Sequence, residues 1–167
     1  YVMLELGQPL HAFDNAKLSG AVHARMARPG EKLLLLNEQT INIDSDILVI
    51  ADDVKVLAMA GVMGGEESGV TLETTEILLE SAFFAPKAIA GRARRYGISS
   101  DASHRFERGV DFGGTCRAIE RATRLILDIC GGASGPVVEA GAEMPPRKQV
   151  RLRTDRAAKV LGMAITA

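Results

Sequence analysis

The chain has 167 residues, of which 47% are hydrophobic and 25% charged, a composition typical of a globular protein that can bury a core without disulfides or metals. Lys and Arg number 20 against 21 Asp and Glu, and the net charge of −1 argues against a free-standing nucleic-acid binder held by bulk positive charge. Aromatic residues make up only 4% and Trp is absent, which disfavours a base-stacking platform. No apolar run reaches the roughly 18 residues of a membrane span. Composition predicts a neutral, soluble protein.

Two cysteines, Cys116 and Cys130, lie on one predicted helix. The chain has no CxxC pair, so neither a zinc ribbon nor a thioredoxin-type site is predicted. We expect both thiols to pack as small apolar side chains, and to stay reduced in a cytoplasmic protein. The chain begins with Tyr1 and shows no signal peptide, so we expect a piece of a longer protein.

The first half of the chain is predicted to form strands. Apolar and polar residues alternate from Val22 to Met26, and Pro29-Gly30 then indicates a turn. Further short runs of apolar or β-branched residues occur at 33–36, 40–43, 47–50, 54–60 and 74–80. Their spacing is typical of hairpins or a meander within a mixed sheet.

The second half is predicted to be helical. Pro86 suits the first turn of a helix that stops at Gly97. A longer helix is predicted to end at Gly131. Its apolar stripe consists of Ile119, Ala122, Ile126 and Ile129. Strands followed by helices favour the α+β class.

The C-terminal part begins with a predicted linker. Residues 139–149 are polar and include Pro145-Pro146. Val150 to Arg153 is a predicted strand, and Thr154 is predicted to cap a short helix that ends at Gly162. We expect these last residues to be the start of another domain.

Charge is unevenly distributed. Residues 91–108 carry five arginines against two acidic residues, and residues 66–80 carry five glutamates without a basic residue. The arginines fit a solvated helix face with salt bridges, which is the common case, or contact with a phosphate backbone or an acidic partner.

The segment GVMGGEESG at 61–69 has four glycines in nine residues. Such a loop lets backbone N–H groups approach a ligand closely, but there is no Walker motif and no GxGxxG before a helix. A tight turn between strands is therefore the simpler interpretation.

His11, His23 and His104 show no HExxH spacing, so no zinc site is predicted, and His23 is expected to face solvent.

Two further polar features each allow more than one interpretation. The segment SSDASH at 99–104 lacks a GxSxG elbow, and a helix N-cap is a simpler interpretation than a nucleophilic serine. Glu80 lies between the apolar runs ILL and AFF. A carboxylate there is costly without a partner, so it is either a satisfied structural acid or a group that awaits a ligand donor.

Five segments taken together resemble the β subunit of bacterial phenylalanyl-tRNA synthetase. They are LELGQPLHAFD (4–14), GVMGGEESGV (61–70), LLESAFFAPKAI (78–89), GRARRYGISSDASHRFERGVD (91–111) and ERATRLILDICGG (120–132). They match its third and fourth domains in order, which is highly specific, and 148–162 resembles the start of the following domain. The resemblance implies an editing domain at 1–145 and a truncated second domain at 146–167.

This resemblance implies a function as well as a fold. The family region is a three-layer β/β/α sandwich of mixed sheets with C-terminal helices. It edits mischarged Tyr-tRNA(Phe), and we expect direct water attack on the ester without a metal or covalent intermediate. The synthetase is an α2β2 tetramer, so the implied partners are the α subunit and the tRNA 3′ end. ATP and Mg²⁺ belong at the α subunit, and no cofactor is expected here. The alternative is a non-catalytic structural and tRNA-docking module.

The resemblance also assigns residues, motif by motif. Glu80 would select the tyrosyl hydroxyl, and His11 and Ser100 would orient the attacking water. His11 would either take a proton from that water or only hold it. The other implied positions are Gly61 and Gly64 as a wall without side chains, Ala102 as room for the ring, and Arg92, Arg94 and Arg95 as tRNA or partner contacts. The family commonly has Thr at the position of Ser100, and a Thr-Asn pair before that of Tyr1 that contributes to the pocket.

Overall fold

The computed structural model describes residues 1–141, 144, 146–147 and 149–165. The chain divides into two compact units, Tyr1–Gly135 and Pro136–Ala167. Among the described residues, no helix is long and apolar enough to cross a membrane.

The first unit contains eight short strands. They are β1 (His11–Asp14), β2 (His23–Met26), β3 (Lys32–Leu34), β4 (Thr40–Asn42), β5 (Leu48–Ala51), β6 (Val56–Met59), β7 (Met63–Gly64) and β8 (Ile77–Glu80). Each of the six predicted strand regions overlaps one of these strands, so those predictions are confirmed with shifted or shorter bounds. Strands β1 and β7 were not predicted, because β1 pairs with the distant β8 and β7 has only two residues within a glycine-rich segment.

Three antiparallel sheets are built from these strands. The largest has the order β2-β5-β6-β7, and β3 with β4 and β1 with β8 form two-stranded sheets. The described strand pairs are all antiparallel. With helices following the strands, this confirms the predicted α+β class.

The β1–β8 pair joins two segments far apart in the sequence. Its register sets His11 opposite Glu80 at one end and Asp14 opposite Ile77 at the other. The Phe13 side chain on β1 is fully buried in the main core, and an isolated bridge links Phe13 to Gly69. Burial of Phe13 therefore fixes the register that brings His11 and Glu80 together.

Six α-helices are present in the described residues. They are α1 (Val2–Leu6), α2 (Pro86–Ile89), α3 (Arg92–Arg95), α4 (Asp101–Arg108), α5 (Thr115–Cys130) and α6 (Thr154–Leu161). The helix predicted from Pro86 to Gly97 is two helices, because Gly91 takes a φ of +75° and interrupts the hydrogen-bond ladder. Ser100 caps α4 through a capping box, as the polar segment predicted.

Helix α5 confirms the predicted helix and only part of its predicted buried stripe. The residues it buries are Ala118 and Ala122, which pack with Val2 of α1 in a small second core. Ile129 is 79% exposed, so the predicted stripe is wrong at its C-terminal end. Cys116 and Cys130 are both exposed, which contradicts their predicted packing as core residues. The buried side is turned toward α1, a short helix that the sequence reasoning did not predict.

One main hydrophobic core unites the sheets and helices of the first unit. Its strand residues include Leu57 and Met59 from β6, and its helix residues include Ile89 of α2 and Phe106 of α4. Because strands supply one side of this core and helices another, the arrangement is consistent with the predicted layered sandwich.

The second unit contains α6 and little other regular structure among its described residues. The helix ends at Gly162 as predicted, but Arg153 is its N-cap and Thr154 its first residue. The predicted strand at Val150 to Arg153 is wrong: no strand is present there, and a lone strand has no partner to complete its hydrogen bonds. Pro145 lies outside the described residues, and the domain boundary at 145/146 stays a prediction.

Candidate functional site

A pocket in the first unit brings together segments from the sheets and helices. Its cavity volume is about 80 Å³, and the surrounding cleft, including the part open to solvent, is about 420 Å³. Most of the lining is apolar, from β6 and the loop after it and from the aromatic residues Phe84 and Phe106. The ionisable side chains that line it are His11 and Glu80.

His11 and Glu80 are direct cross-strand neighbours. They are opposite each other in the β1–β8 register. In an antiparallel pair, opposite residues point to the same face with Cβ atoms about 4.5–5.5 Å apart. The fold thus places the two predicted site residues side by side at the pocket, although they are 69 positions apart in the sequence.

The Glu80 carboxyl group has no partner within the described part of the chain. No hydrogen bond or ion pair reaches it, and the residue is half-buried. Burial raises the pKa of Glu80 to about 7, because removal from water disfavours the charged form. Of the two alternatives left by the sequence, a satisfied structural acid is therefore excluded among the described residues, and an unpaired acceptor at the pocket is what the structure contains.

His11 is also unsatisfied. Its Nε2 is buried without a hydrogen-bond partner in the described residues. The ring packs edge-on against Phe13, with centroids 4.5 Å apart. Burial lowers the pKa of His11 below its ordinary value, so the imidazole is neutral at neutral pH. A neutral ring nitrogen without a partner is able to accept or donate one hydrogen bond to a bound molecule.

Glycine is required at two points of the pocket wall. A Cβ at Gly64 would lie 2.6 Å from Nε2 of His11, so any side chain there displaces the imidazole. Gly61 has a φ of +68°, and a Cβ there would approach the rings of Phe106 and Phe84 to 3.1 Å. The glycine-rich loop is therefore both the turn between β6 and β7 and the wall without side chains that the resemblance implied.

The opposite wall comes from α4 and the segment before α2. Ala102 lines the pocket, and Phe106 follows one turn later on the same helix face. Phe106 makes an edge-to-face contact with Phe84, with centroids 5.1 Å apart. Phe84 and Phe106 were not among the site residues predicted from the sequence. The spacing of Ala102 and Phe106 by four residues was the available signal.

Ser100 lies behind the pocket wall and does not line it. Its Oγ donates to the Val62 carbonyl at 2.8 Å and accepts from the Ser103 amide at 3.1 Å. The hydroxyl proton is thus used to tie the start of α4 to a pocket-lining residue. Orientation of water by Ser100 stays a prediction, and the geometry favours its helix-capping role.

Two of the three arginines predicted to contact tRNA are ion-paired within the chain. Arg92 lies 2.8 Å from Asp46, and Arg95 bonds to both Asp44 and Asp46. Arg94 is exposed and has no ion-pair partner in the described part of the chain. The interpretation of these arginines as a helix face with salt bridges is therefore confirmed for Arg92 and Arg95. Arg94 is available to a phosphate.

Among the described residues, no group of three or more His, Cys, Asp or Glu side chains is placed to hold a metal ion. The chemistry that the described pocket offers is a proton-accepting carboxyl beside an unpaired imidazole, within apolar walls.

The B3/4 domain model matches residues 1–131, which contain all of the pocket. The chain belongs to the B3/4 domain family. The match ends one residue after α5 and does not include α6.

Curated relatives of this B3/4 domain are phenylalanine–tRNA ligase β subunits. That of Dechloromonas aromatica is 78% identical over 167 residues, that of Aromatoleum aromaticum 67% over 165, and that of Chromobacterium violaceum 61% over 167. These alignments cover 98–100% of the chain but 21% of each relative. The chain spans about a fifth of the length of these relatives. The resemblance predicted from the five motifs is thus confirmed.

Proposed function

We propose that this B3/4 domain hydrolyses the ester bond that joins a mistakenly attached tyrosine to phenylalanine tRNA. The observation that carries the proposal is the unpaired Glu80 carboxyl beside His11 in an otherwise apolar pocket. The relatives are named as phenylalanine–tRNA ligase β subunits, and such a ligase needs a second site that separates tyrosine from phenylalanine.

The need follows from the limits of apolar recognition. A pocket shaped for a phenyl ring rejects an added hydroxyl by only about 10²-fold. A second pocket that requires the hydroxyl completes a double sieve. Glu80 suits that task, because its oxygen accepts the phenol hydrogen, whereas a bound phenyl ring leaves a buried acceptor unpaired at a cost of about 1–3 kcal/mol.

The hydrolysis itself requires a positioned water more than a protein nucleophile. In our proposal, the water oxygen attacks the ester carbonyl carbon, and the bond to the tRNA ribose oxygen breaks. One water proton passes to that oxygen to give the ribose hydroxyl, and tyrosine leaves as the free acid. His11 holds the attacking water through Nε2, which has no other partner among the described residues. Ser100 acts through Val62: its hydrogen bond to the Val62 carbonyl holds the part of the pocket wall against which the tyrosyl ring packs.

The partners are those of the complete ligase. The domain works within a β subunit that assembles with an α subunit as an α2β2 tetramer, where ATP and Mg²⁺ serve aminoacylation on the α subunit. The tRNA 3′ end reaches the pocket after release from that subunit. Other domains provide most of the tRNA contact, because the present chain has a net charge of only −1.

The test is deacylation by a complete synthetase whose β subunit contains this chain. Glu80→Ala is expected to lower the preference for Tyr-tRNA over Phe-tRNA by about tenfold or more, since it removes the hydroxyl acceptor. Glu120→Ala, which changes an exposed glutamate on α5, is the matched control and keeps the preference.

Two outcomes contradict the proposal in different ways. An unchanged preference in Glu80→Ala removes Glu80 from the selector role. A complete, unsubstituted synthetase that does not deacylate Tyr-tRNA at all supports the alternative, a structural and tRNA-docking module.

A further inference from the structure

Gln8 is a buried polar residue beside the pocket that none of the roles above uses. It lies in the turn between α1 and β1, and 3% of it is exposed. Its Nε2 donates to the carbonyl of Ala82 at 2.7 Å and to that of Pro9 at 3.0 Å. The first of these bonds joins residues 74 positions apart.

The bond to Ala82 lies just beyond the end of the β1–β8 ladder. The last pair is His11 with Glu80, and two more residues of the same register would set Pro9 opposite Ala82. Proline has no N–H to donate to a facing strand. The Gln8 carboxamide supplies a donor at this point, so a hydrogen bond still joins the two segments where the proline backbone cannot donate one.

Both segments that Gln8 joins line the pocket. On one side are Pro9 and His11, and on the other are Glu80 and Phe84, which flank Ala82. Ser81 Oγ donates to the Thr115 carbonyl at 2.9 Å and anchors the same segment to α5. The Gln8 amide is thus a cross-link between the two strand ends that carry the ionisable pair.

The other end of the same side chain is not satisfied. Gln8 Oε1 is buried and has no hydrogen-bond partner in the described residues. An unpaired buried acceptor destabilises the fold, and an apolar side chain of similar length would avoid that cost. Packing alone therefore does not account for glutamine here, whereas the need for two amide hydrogens does.

We propose that Gln8 is a positioning residue for hydrolysis, which fixes the spacing of His11 and Glu80 by bonding the Ala82 carbonyl. This inference rests on the proposed function. Gln8 does not touch the substrate; it acts by holding the two strand ends at the distance at which one substrate contacts both side chains.

The first test is Gln8→Met in the complete synthetase, with Gln39→Met as the matched control. Gln39 also donates from Nε2 to a distant carbonyl, that of Tyr96 at 3.2 Å, but it is exposed and away from the pocket. Gln8→Met is expected to lower kcat for Tyr-tRNA deacylation about tenfold or more with KM nearly unchanged, because a small displacement of reacting groups is costly. Gln39→Met is expected to change neither constant.

The second test does not depend on activity. Burial lowers the pKa of His11, and Glu80 is the other ionisable side chain lining the pocket. If Gln8 keeps the strand ends closed, Gln8→Met admits water and the pKa of His11 rises toward its ordinary value. NMR titration of the imidazole measures this, and Gln39→Met is expected to give the unsubstituted curve.

Several outcomes overturn the inference. If Gln8→Met changes neither kcat nor the His11 titration, the positioning role is wrong. The proposed function still stands in that case if Glu80→Ala loses the preference for Tyr-tRNA over Phe-tRNA. Gln8→Asn, which keeps the amide on a shorter side chain, is expected to fold and to lose part of kcat. If both variants at Gln8 fail to fold, the residue is structural and the positioning role is wrong. If the unsubstituted synthetase does not deacylate Tyr-tRNA, the positioning role in hydrolysis falls with the proposed function.

Discussion

Two acidic side chains in this chain have opposite surroundings. Asp46, in the turn between β4 and β5, accepts hydrogen bonds from Arg95 at 2.6 and 2.9 Å and lies 2.8 Å from Arg92. Those bonds lower the pKa of Asp46, with Arg95 as the main cause. Glu80 has no such partner among the described residues, and burial raises its pKa to about 7.

The difference separates structural charge from charge kept for a ligand. Asp46 accepts from arginines of the same chain and ties α3 to the β4–β5 turn. The Glu80 carboxyl accepts no hydrogen bond among the described residues and lies at the edge of an apolar pocket. An unpaired acceptor there destabilises the fold unless a ligand donates to it. The acidic group without a partner is therefore the better candidate for function.

The largest expected effect comes from the pocket wall. Gly64→Ala places a Cβ 2.6 Å from Nε2 of His11, so the imidazole must move. We expect Tyr-tRNA deacylation by the complete synthetase to fall by at least about 100-fold. Gly135→Ala, where a Cβ meets nothing within 4 Å, is the control. Full activity in Gly64→Ala contradicts a role for His11 in this position.

The next effect concerns stability and pH. Glu80 has a pKa of about 7 in the fold against an ordinary value of 4.5, so the folded state loses stability as pH rises from about 4.5 to 7. Glu80→Gln removes the ionisation. We expect it to match the unsubstituted chain below pH 4.5 and to exceed it by about 3 kcal/mol at most above pH 7. Urea unfolding across this range measures the difference. A difference independent of pH contradicts the raised pKa.

A smaller effect is expected at the free arginine. Arg94→Ala removes an exposed cation with no ion-pair partner in the described residues. If it contacts a tRNA phosphate, tRNA affinity falls at low salt, and the slope of log K against log salt decreases by about one. Arg92→Ala is the comparison, because its guanidinium is already paired with Asp46. An unchanged slope in Arg94→Ala removes this residue from the tRNA contact.

The smallest effect is expected at the paired carboxylate. Asp46→Asn weakens the ion pairs to Arg92 and Arg95, which are partly exposed and screened by salt. We expect a slightly lower Tm at low ionic strength, above the pH at which aspartate ionises, and no change in deacylation. The Tm difference is expected to shrink in 1 M salt. A large loss of deacylation would contradict the separation of structural and functional charge.

Local sequence patterns predicted the elements that depend on local interactions. The strands of the large sheet follow alternation and turn residues, and α5 follows its helical period. The strand predicted at 150–153 is wrong because strand pairing is not local. The exposed Cys116 and Ile129 were mispredicted for a related reason, since the partner of α5 is the short helix α1.

The candidate site shows the same division. Sequence and resemblance named Glu80, His11, Gly61, Gly64 and Ala102, and these five all line one pocket. Neither identified the walls formed by Phe84 and Phe106, nor the bond from Gln8 to Ala82. These contacts join segments that are distant along the chain, and no local period signals them.

By itself the sequence determined the α+β class, the family and the residue types of the site, because these follow from composition, period and motif order. The net charge of −1 did not decide whether the protein has a nucleic-acid partner, because a sum of charges does not show how they are distributed. The tertiary structure decided which charges are already paired and which acid is left without a partner. It did so through the β1–β8 register, in which burial of Phe13 brings His11 and Glu80 to the same face.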